Sequence, residues 1–272
     1  IDTFAARHGV PVPQLHVDAA VGWVLSFLAE YNTADNPLDF TDELLPLVEQ
    51  ARQYAKGLRV ADSVTIDFHK MGWGHYPGSA FLVNRRADLK HLSRSVETMP
   101  YFSDAESRRD PALFTLECSR PALGPYTVMA SLNAIGLVGW QMLTARSLEM
   151  ARHLKQRLAK LEYCKVLNPD TIGPSVVWWV FPKGRNAAQI FQQLLDGTLS
   201  SDQYAHYTEE IHRLFERREK SMDPACDARL GYTTSIGFCP RGVNLPAWKA
   251  VWFNPKTDEA VIDRLIASIE EL

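Results

Sequence analysis

The sequence predicts an α/β protein, with one domain built on an α/β sheet and a second, smaller α/β domain at the C-terminal end. Short apolar runs rich in Val and Ile, around HVDAAV at 16–21, VTID at 64–67 and SAFLV at 79–83, alternate with helical stretches over short links. A long stretch of helical periodicity then runs from about residue 122 to 161. After it the order becomes strand, helix, strand, helix, with SVVWWVF at 175–181 and LPAWKAVWF at 245–253 as the strands. These textures divide the chain into a domain over 1–140 and a small domain over 141–272.

The elements follow in order. Asp2 to His8 is a short helix stopped by Gly9 and Pro11. QLHVDAAVGW is a compact apolar strand, and 31–40 (YNTADNPLDF) a loop of clustered Asn, Asp and Pro. A helix runs from Thr41 to Ala55, with Thr41 as N-cap and Asp42 and Glu43 in its first turn. The strand ending in Lys70 comes next, then SAFLV, closed by Asn84-Arg85-Arg86. Residues 95–112 are polar, Pro-bounded and weakly periodic, and are expected to form a mobile loop. In the long helix, Leu143, Met150, Leu154, Leu158 and Leu161 fall mostly at helical spacing, while Gly136 and Gly139 point to a bend or break. Ser201 to Arg218 is amphipathic, with Tyr204, Tyr207, Ile211 and Leu214 on one face. Thr257 caps a last helix carrying Val261, Ile262, Leu265, Ile266 and Ile269.

Composition narrows the function. The 272 residues, 46% hydrophobic and 22% charged, are ordinary for a soluble globular protein. A net charge of −3 with dispersed cations gives no nucleic-acid surface. The densest basic cluster, Arg217, Arg218 and Lys220, alternates with acids and reads as a solvated helix face. Four cysteines without a Cys-x-x-Cys pair argue against a zinc knuckle or a disulfide framework, so no metal site is expected and the thiols fit a cytoplasmic protein. No apolar run approaches the roughly 20 residues of a membrane span, and no signal peptide is visible. The chain starts at Ile1 inside a helix-like segment, which leads us to expect a longer protein with an N-terminal half.

Two features carry chemistry. Lys70 ends an apolar run and is followed by Gly72, Gly74 and Gly78. A lone strand-end lysine usually snorkels to solvent, but a partly desolvated one is also how proteins obtain a nucleophilic amine. Asp18 ends the apolar run of HVDAA and is followed by two alanines. Alone it could be a helix cap or half of an ion pair. One ligand accounts for both residues: pyridoxal 5'-phosphate needs a lysine for its aldehyde and a carboxylate for its ring nitrogen. Open α/β sheets bind ligands at the carboxyl ends of strands, where both residues fall.

HVDAA together with ADSVTIDFHK resembles the group II pyridoxal-phosphate-dependent amino-acid decarboxylases, whose members act on glutamate, aspartate, diaminobutyrate, tyrosine and other aromatic amino acids. The second motif is the more specific. The resemblance implies the fold type I, aspartate aminotransferase-like architecture. The chain would supply the second half of the large mixed-sheet, cofactor-binding domain and the small C-terminal α/β domain. It assigns Lys70 as the lysine that carries the cofactor and Asp18 as the partner of the ring nitrogen. Ala20 would pack against the ring, His69 would sit beside the lysine near cofactor or substrate, and His16 would lie close to the site.

The loop at 95–112 matches in place the family's mobile catalytic loop, with Tyr101 as the candidate proton donor or simply a surface aromatic. Ser119 and Arg120, in ECSRPALGPY, would line the substrate side, although Arg120 could equally be a structural ion-pair partner. The family also implies a homodimer and an amino-acid substrate.

The chain departs from the family pattern in several places. Asp67 stands where many members have Asn, and Phe68 where many have Pro. The spacing from Asp18 to Lys70 is longer than in the aromatic amino-acid decarboxylases, which implies an insertion around 23–40. The region that would supply most of the phosphate-binding groups is absent. The expected activity is decarboxylation of an amino acid to an amine and carbon dioxide. A lyase or transaminase of the same fold, or a piece without catalysis, are the alternatives. HKMG hints at tyrosine decarboxylases and D-x-H-K at diaminobutyrate enzymes, so the substrate stays open.

Overall fold

A computed structural model describes residues 2–93, 114–115, 121–225, 227–234 and 245–272. The chain divides into two compact units, 1–37 with 49–141, and 38–48 with 142–272.

The first unit holds α1 (Asp2–His8), β1 (His16–Asp18), most of α2 (Leu45–Gly57), β2 (Ser63–Asp67), the one-turn α3 (Phe68–Met71), β3 (Ser79–Val83) and the first part of α4 (Leu123–Leu158). Its sheet has the order β1-β2-β3. β1 and β2 are parallel, Asp18 pairing with Thr65, and β3 returns antiparallel with Asp67 opposite Ser79. The sheet is therefore mixed, as the resemblance implies.

Strand alternation explains its two faces, because successive side chains point to opposite sides. Val17, Ala19, Val64 and Ile66 fall on one side and pack in an apolar cluster with Trp23, Val24, Met71 and Trp140. Within that cluster Phe27 stacks on Trp140 with ring centroids 5.0 Å apart, and Trp23 meets Phe68 edge-on at 4.9 Å. The opposite side carries His16, Asp18, Ser63, Thr65, Asp67 and Ser79. One register thus separates a core face from a chemical face.

The second unit is a four-stranded antiparallel sheet of order β4-β5-β7-β6, formed by β4 (Cys164–Val166), β5 (Ser175–Val180), β6 (Gly231–Thr233) and β7 (Ala247–Val251). It also contains α5 (Ala187–Asp196), α6 (Ser201–Ser221) and α7 (Glu259–Glu270). Val176, Trp178, Val180 and Trp248 are fully buried and share a core with Leu154 and Leu158 of α4, Ile211 of α6 and Ile262 of α7. The apolar positions 262, 265, 266 and 269 of α7 fall at helical spacing and all lie in this core. Leu154→Ala should cost about 2–5 kcal/mol, because a fully buried leucine leaves both lost transfer energy and a cavity. Urea unfolding of the full chain measures it.

Helix ends obey local capping. Asn186 Oδ1 accepts from Gln189 N at the start of α5, and Ser200 with Gln203 forms a capping box on α6. Gly136, at φ 66° and ψ 171°, breaks α4 as its glycine predicts, since only glycine enters that region without a steric cost.

Five expectations need correction. α2 begins at Leu45 rather than Thr41, since 42–44 form a turn in which the Thr41 carbonyl accepts from Leu44 and Leu45 N–H. The cap of α7 is Asp258, whose Oδ1 accepts from Val261 N, not Thr257. After Asp18 the strand gives way to a 3-10 helix over Gly22–Leu28. Arg218 is not on a solvated face. It is 1% exposed, donates to the Ala228 carbonyl at 2.7 Å and pairs with Glu219 at 2.6 Å, tying α6 to the segment before β6. Finally, α4 is by length and composition long and apolar enough to cross a membrane. It breaks at Gly136; beyond the break Met150, Leu154 and Leu158 are buried in the second unit's core, while Met129, Leu137, Val138 and Met142 are exposed.

Candidate active site

β2 delivers the chemistry. Its alternation sends Ser63, Thr65 and Asp67 to the polar face, and one helical turn, α3, follows at once. Lys70 therefore lies on that turn, three residues after Asp67, and not on the strand end itself. The turn folds the amine back onto the strand's last carboxylate, with Lys70 Nζ 2.7 Å from Asp67 Oδ2. The lysine side chain is 40% exposed, between the solvated and the buried alternatives that the sequence left open.

Asp67 is more sheltered, at 16%, and its other oxygen accepts from the Ser79 hydroxyl at 2.6 Å. Desolvation pushes its carboxyl up, but the hydrogen bonds from Lys70 and Ser79 outweigh it and leave the carboxyl below the ordinary carboxylate value. Because the folded value lies below the unfolded one, this contribution to stability is complete above the ordinary carboxylate pKa and fades as pH falls through the folded value.

His69 is 10% exposed. Its Nδ1–H donates to the Gly78 carbonyl at 3.2 Å, which leaves Nε2 turned to Asp67 at 4.0 Å. Its ring also packs against Tyr76, with centroids 3.8 Å apart.

The chain after Lys70 is held from several directions. Ser131 donates to the Gly72 carbonyl at 2.7 Å, and His75 N–H donates to Thr127 Oγ1 at 3.2 Å. A Cβ on Gly72 would come within 2.5 Å of the Phe68 carbonyl oxygen, so the close turn behind the lysine requires glycine there. Trp73 takes a left-handed φ of 50° and stacks on Trp140 at 5.4 Å.

On the neighbouring strand, Asp18 Oδ1 accepts from Ala20 N–H at 2.9 Å, which fixes the carboxylate through the turn after β1. Ala19 and Ala20, which follow it, are both buried. His16 hydrogen-bonds Ser63 Oγ at 2.9 Å and Thr65 Oγ1 at 3.3 Å and lies against Phe81. Since Asp18 pairs with Thr65, two residues before Asp67 on the parallel neighbour, strand geometry puts the Asp18 and Asp67 Cα atoms about 8 Å apart. Asp18, at the end of β1, and His69 and Lys70, in the turn after β2, thus lie at the carboxyl end of a parallel strand pair, where open α/β sheets bind ligands, while His16 lies at its amino end opposite Ser63.

Tyr101, Ser119 and Arg120, and the loop at 95–112, lie outside the described residues. The pairing of Asp67 and Ser79 with Lys70 is what sequence reasoning missed. Its signal was the spacing in DFHK, but that spacing brings the two side chains together only if a helical turn starts at Phe68. A separate apolar cavity of about 440 Å³ is lined by Phe68, Pro77, Ser79, Val128, Met129 and Leu132 among others, and neither Lys70 nor Asp18 borders it.

Comparisons with known proteins agree with this geometry. The chain is 27% identical over 161 residues to a probable L-aspartate decarboxylase of Pyrococcus abyssi, covering 59% of this chain and 35% of that one. It is 29% identical over 157 residues to the corresponding Archaeoglobus fulgidus protein, covering 57% and 35%. It spans about a third of the length of these curated relatives. Among solved structures, mouse CSAD matches 99% of the chain with 47% of its own, at a TM-score of 0.59 and 22% identity. The sphingosine-1-phosphate lyase of Burkholderia pseudomallei matches 99% with 46%, at 0.58 and 17%. Both likenesses show the fold, which is fold type I. The family model described as the pyridoxal-dependent decarboxylase conserved domain matches residues 45–181, about half of the chain and the stretch that holds β2, α3 and Lys70. With that stretch folded into the lysine-bearing edge, the chain belongs to the pyridoxal-dependent decarboxylase family.

Proposed function

We propose that this chain is the lysine-bearing part of a pyridoxal-phosphate-dependent amino-acid decarboxylase that releases carbon dioxide and an amine. The observation that carries the reading is the placement of Lys70, within the family-matched stretch, just after β2, with Asp18 ending the parallel strand beside it. The residues fit the cofactor. A half-exposed lysine amine, a carboxylate fixed on the neighbouring strand and a small buried alanine after it are what a pyridoxal ring needs.

When bound, the cofactor supplies an electron sink for the pair released as the Cα–carboxylate bond breaks. Lys70 would hold it by the aldehyde carbon, and Asp18 would keep a proton on the ring nitrogen. His69, whose Nδ1–H is committed to Gly78, presents Nε2 toward the same edge and would orient cofactor or substrate. Ala20 would pack against the ring, His16 would brace the face from Ser63 and Thr65, and Tyr101 would return a proton to Cα. Ser119 and Arg120 would contact the substrate.

The first unit would be part of the cofactor-binding domain and the second the small C-terminal domain. The remaining cofactor contacts would come from an N-terminal half and from the partner of a homodimer. The names of the relatives make aspartate the first substrate to try. A cytoplasmic location fits Cys164, a buried free thiol. The test is product analysis with the full-length protein across acidic, basic and aromatic amino acids. Release of carbon dioxide with the matching amine is expected; a keto acid without carbon dioxide would turn the reading to a transaminase.

A further inference from the structure

We propose that Asp67, braced by Ser79, is a positioning residue that latches the Lys70 amine, holding it as an ammonium ion at the carboxyl edge until it is released to a carbonyl carbon. The purpose of the latch rests on Lys70 being the cofactor lysine; its geometry does not. Asp67 and Ser79 are opposed residues in the β2–β3 register, so the brace is built into strand pairing. Asp67 spends one oxygen on Ser79 at 2.6 Å and the other on Lys70 at 2.7 Å. His69, with Nε2 at 4.0 Å, is the other titratable group recorded against Asp67, and its Nδ1 is tied to Gly78. The carboxylate therefore has one full-time cation, the lysine.

An ammonium ion has no lone pair to offer a carbonyl. For the bond to form, a proton must leave Nζ, and the acceptor already in contact is Asp67 Oδ2. The nitrogen then bonds to the carbonyl carbon, Asp67 passes the proton it took to the carbonyl oxygen, and that oxygen departs as water with this hydrogen and one more from the nitrogen. The third hydrogen stays on the nitrogen, so nothing is oxidised or reduced. The same carboxylate thus protects the amine at rest and relieves it of a proton when it reacts.

Asp67→Asn preserves size and the bond to Ser79 but removes the charge. Without that charge the amine loses the contact that occupies it at 2.7 Å and is freer to meet an electrophile. The probe is formaldehyde with cyanoborohydride, applied at pH 8 to the cofactor-free full chain, with methylation of each lysine followed by mass spectrometry. Lys70 should be labelled about 3- to 10-fold faster in Asp67→Asn, with the exposed Lys90 and Lys256 unchanged. Ser79→Ala, which frees one Asp67 oxygen, should give a smaller rise.

Labelling of Lys70 at the unsubstituted rate in both variants, or slower, overturns the latch. If Asp67→Asn does not fold, Ser79→Ala decides alone by the same criterion. Pyridoxal phosphate added to the unsubstituted protein should protect Lys70 from the probe. Failure to protect it would overturn the cofactor reading while leaving the labelling of the variants as the test of the latch.

Discussion

Lys70→Ala in the full-length protein is expected to remove covalent attachment of the cofactor, abolish its visible absorbance band and lower the decarboxylation rate by at least about 10³-fold. Stability should change little, since the lysine is 40% exposed and its truncation opens no cavity. The measurement is borohydride reduction followed by peptide mapping: in the unsubstituted protein the label should lie on the peptide containing Lys70, and in the variant on none. Lys70→Arg separates charge from nucleophilicity. A guanidinium can keep the pair with Asp67 yet cannot attack a carbonyl, so this variant should stay folded and remain as inactive as the alanine. A label found on another lysine of the unsubstituted protein would remove Lys70 from its role.

That prediction was half legible in the sequence. The alternation in HVDAA and SVTID assigns each residue to a face, and the β1–β2 pair follows it, whereas in SAFLV Phe81 lies on the polar face and Leu82 is exposed. The break at Gly136 was legible too, because a glycine amid helix formers is costly unless the backbone needs it. Less visible were β4 and β6, whose three residues each are too short to display a period of two. The start of α2 was misplaced because Thr41 offers a good cap at the head of a turn that becomes a regular helix only at Leu45. Arg218 looked solvated because it sits in a run of charges, yet it falls on the stripe of Ile211 and Leu214 at helical spacing. Spacing, rather than residue type, held that information. In the site, Lys70 and Asp18 stood out as chemistry without an evident partner. The partner the structure supplies for Lys70, Asp67, stayed hidden because a single helical turn carries no pattern of its own.

The second large effect belongs to Asp18→Asn, which should lower kcat on the order of 10²- to 10³-fold with the cofactor still attached to Lys70. Asparagine keeps the side-chain oxygen that accepts from Ala20 N–H, so the turn after β1 and the position of the group should survive. What it loses is the negative charge. A neutral amide stabilises a proton on a ring nitrogen far less than a carboxylate does, and the electron pair released when carbon dioxide departs then has a poorer acceptor. The loss should therefore appear in kcat, with cofactor affinity affected much less. Asp18→Glu should recover part of the rate, since it restores the charge while pushing the carboxylate one methylene out of register. Asp18→Ala should be worse than the asparagine variant, because the Ala20 N–H would lose its acceptor as well. The cofactor's absorbance in each variant, read beside kcat, distinguishes the two ways this can fail. An unchanged kcat in Asp18→Asn would place the ring-nitrogen partner elsewhere. Loss of the cofactor in that variant would instead make Asp18 part of its binding site.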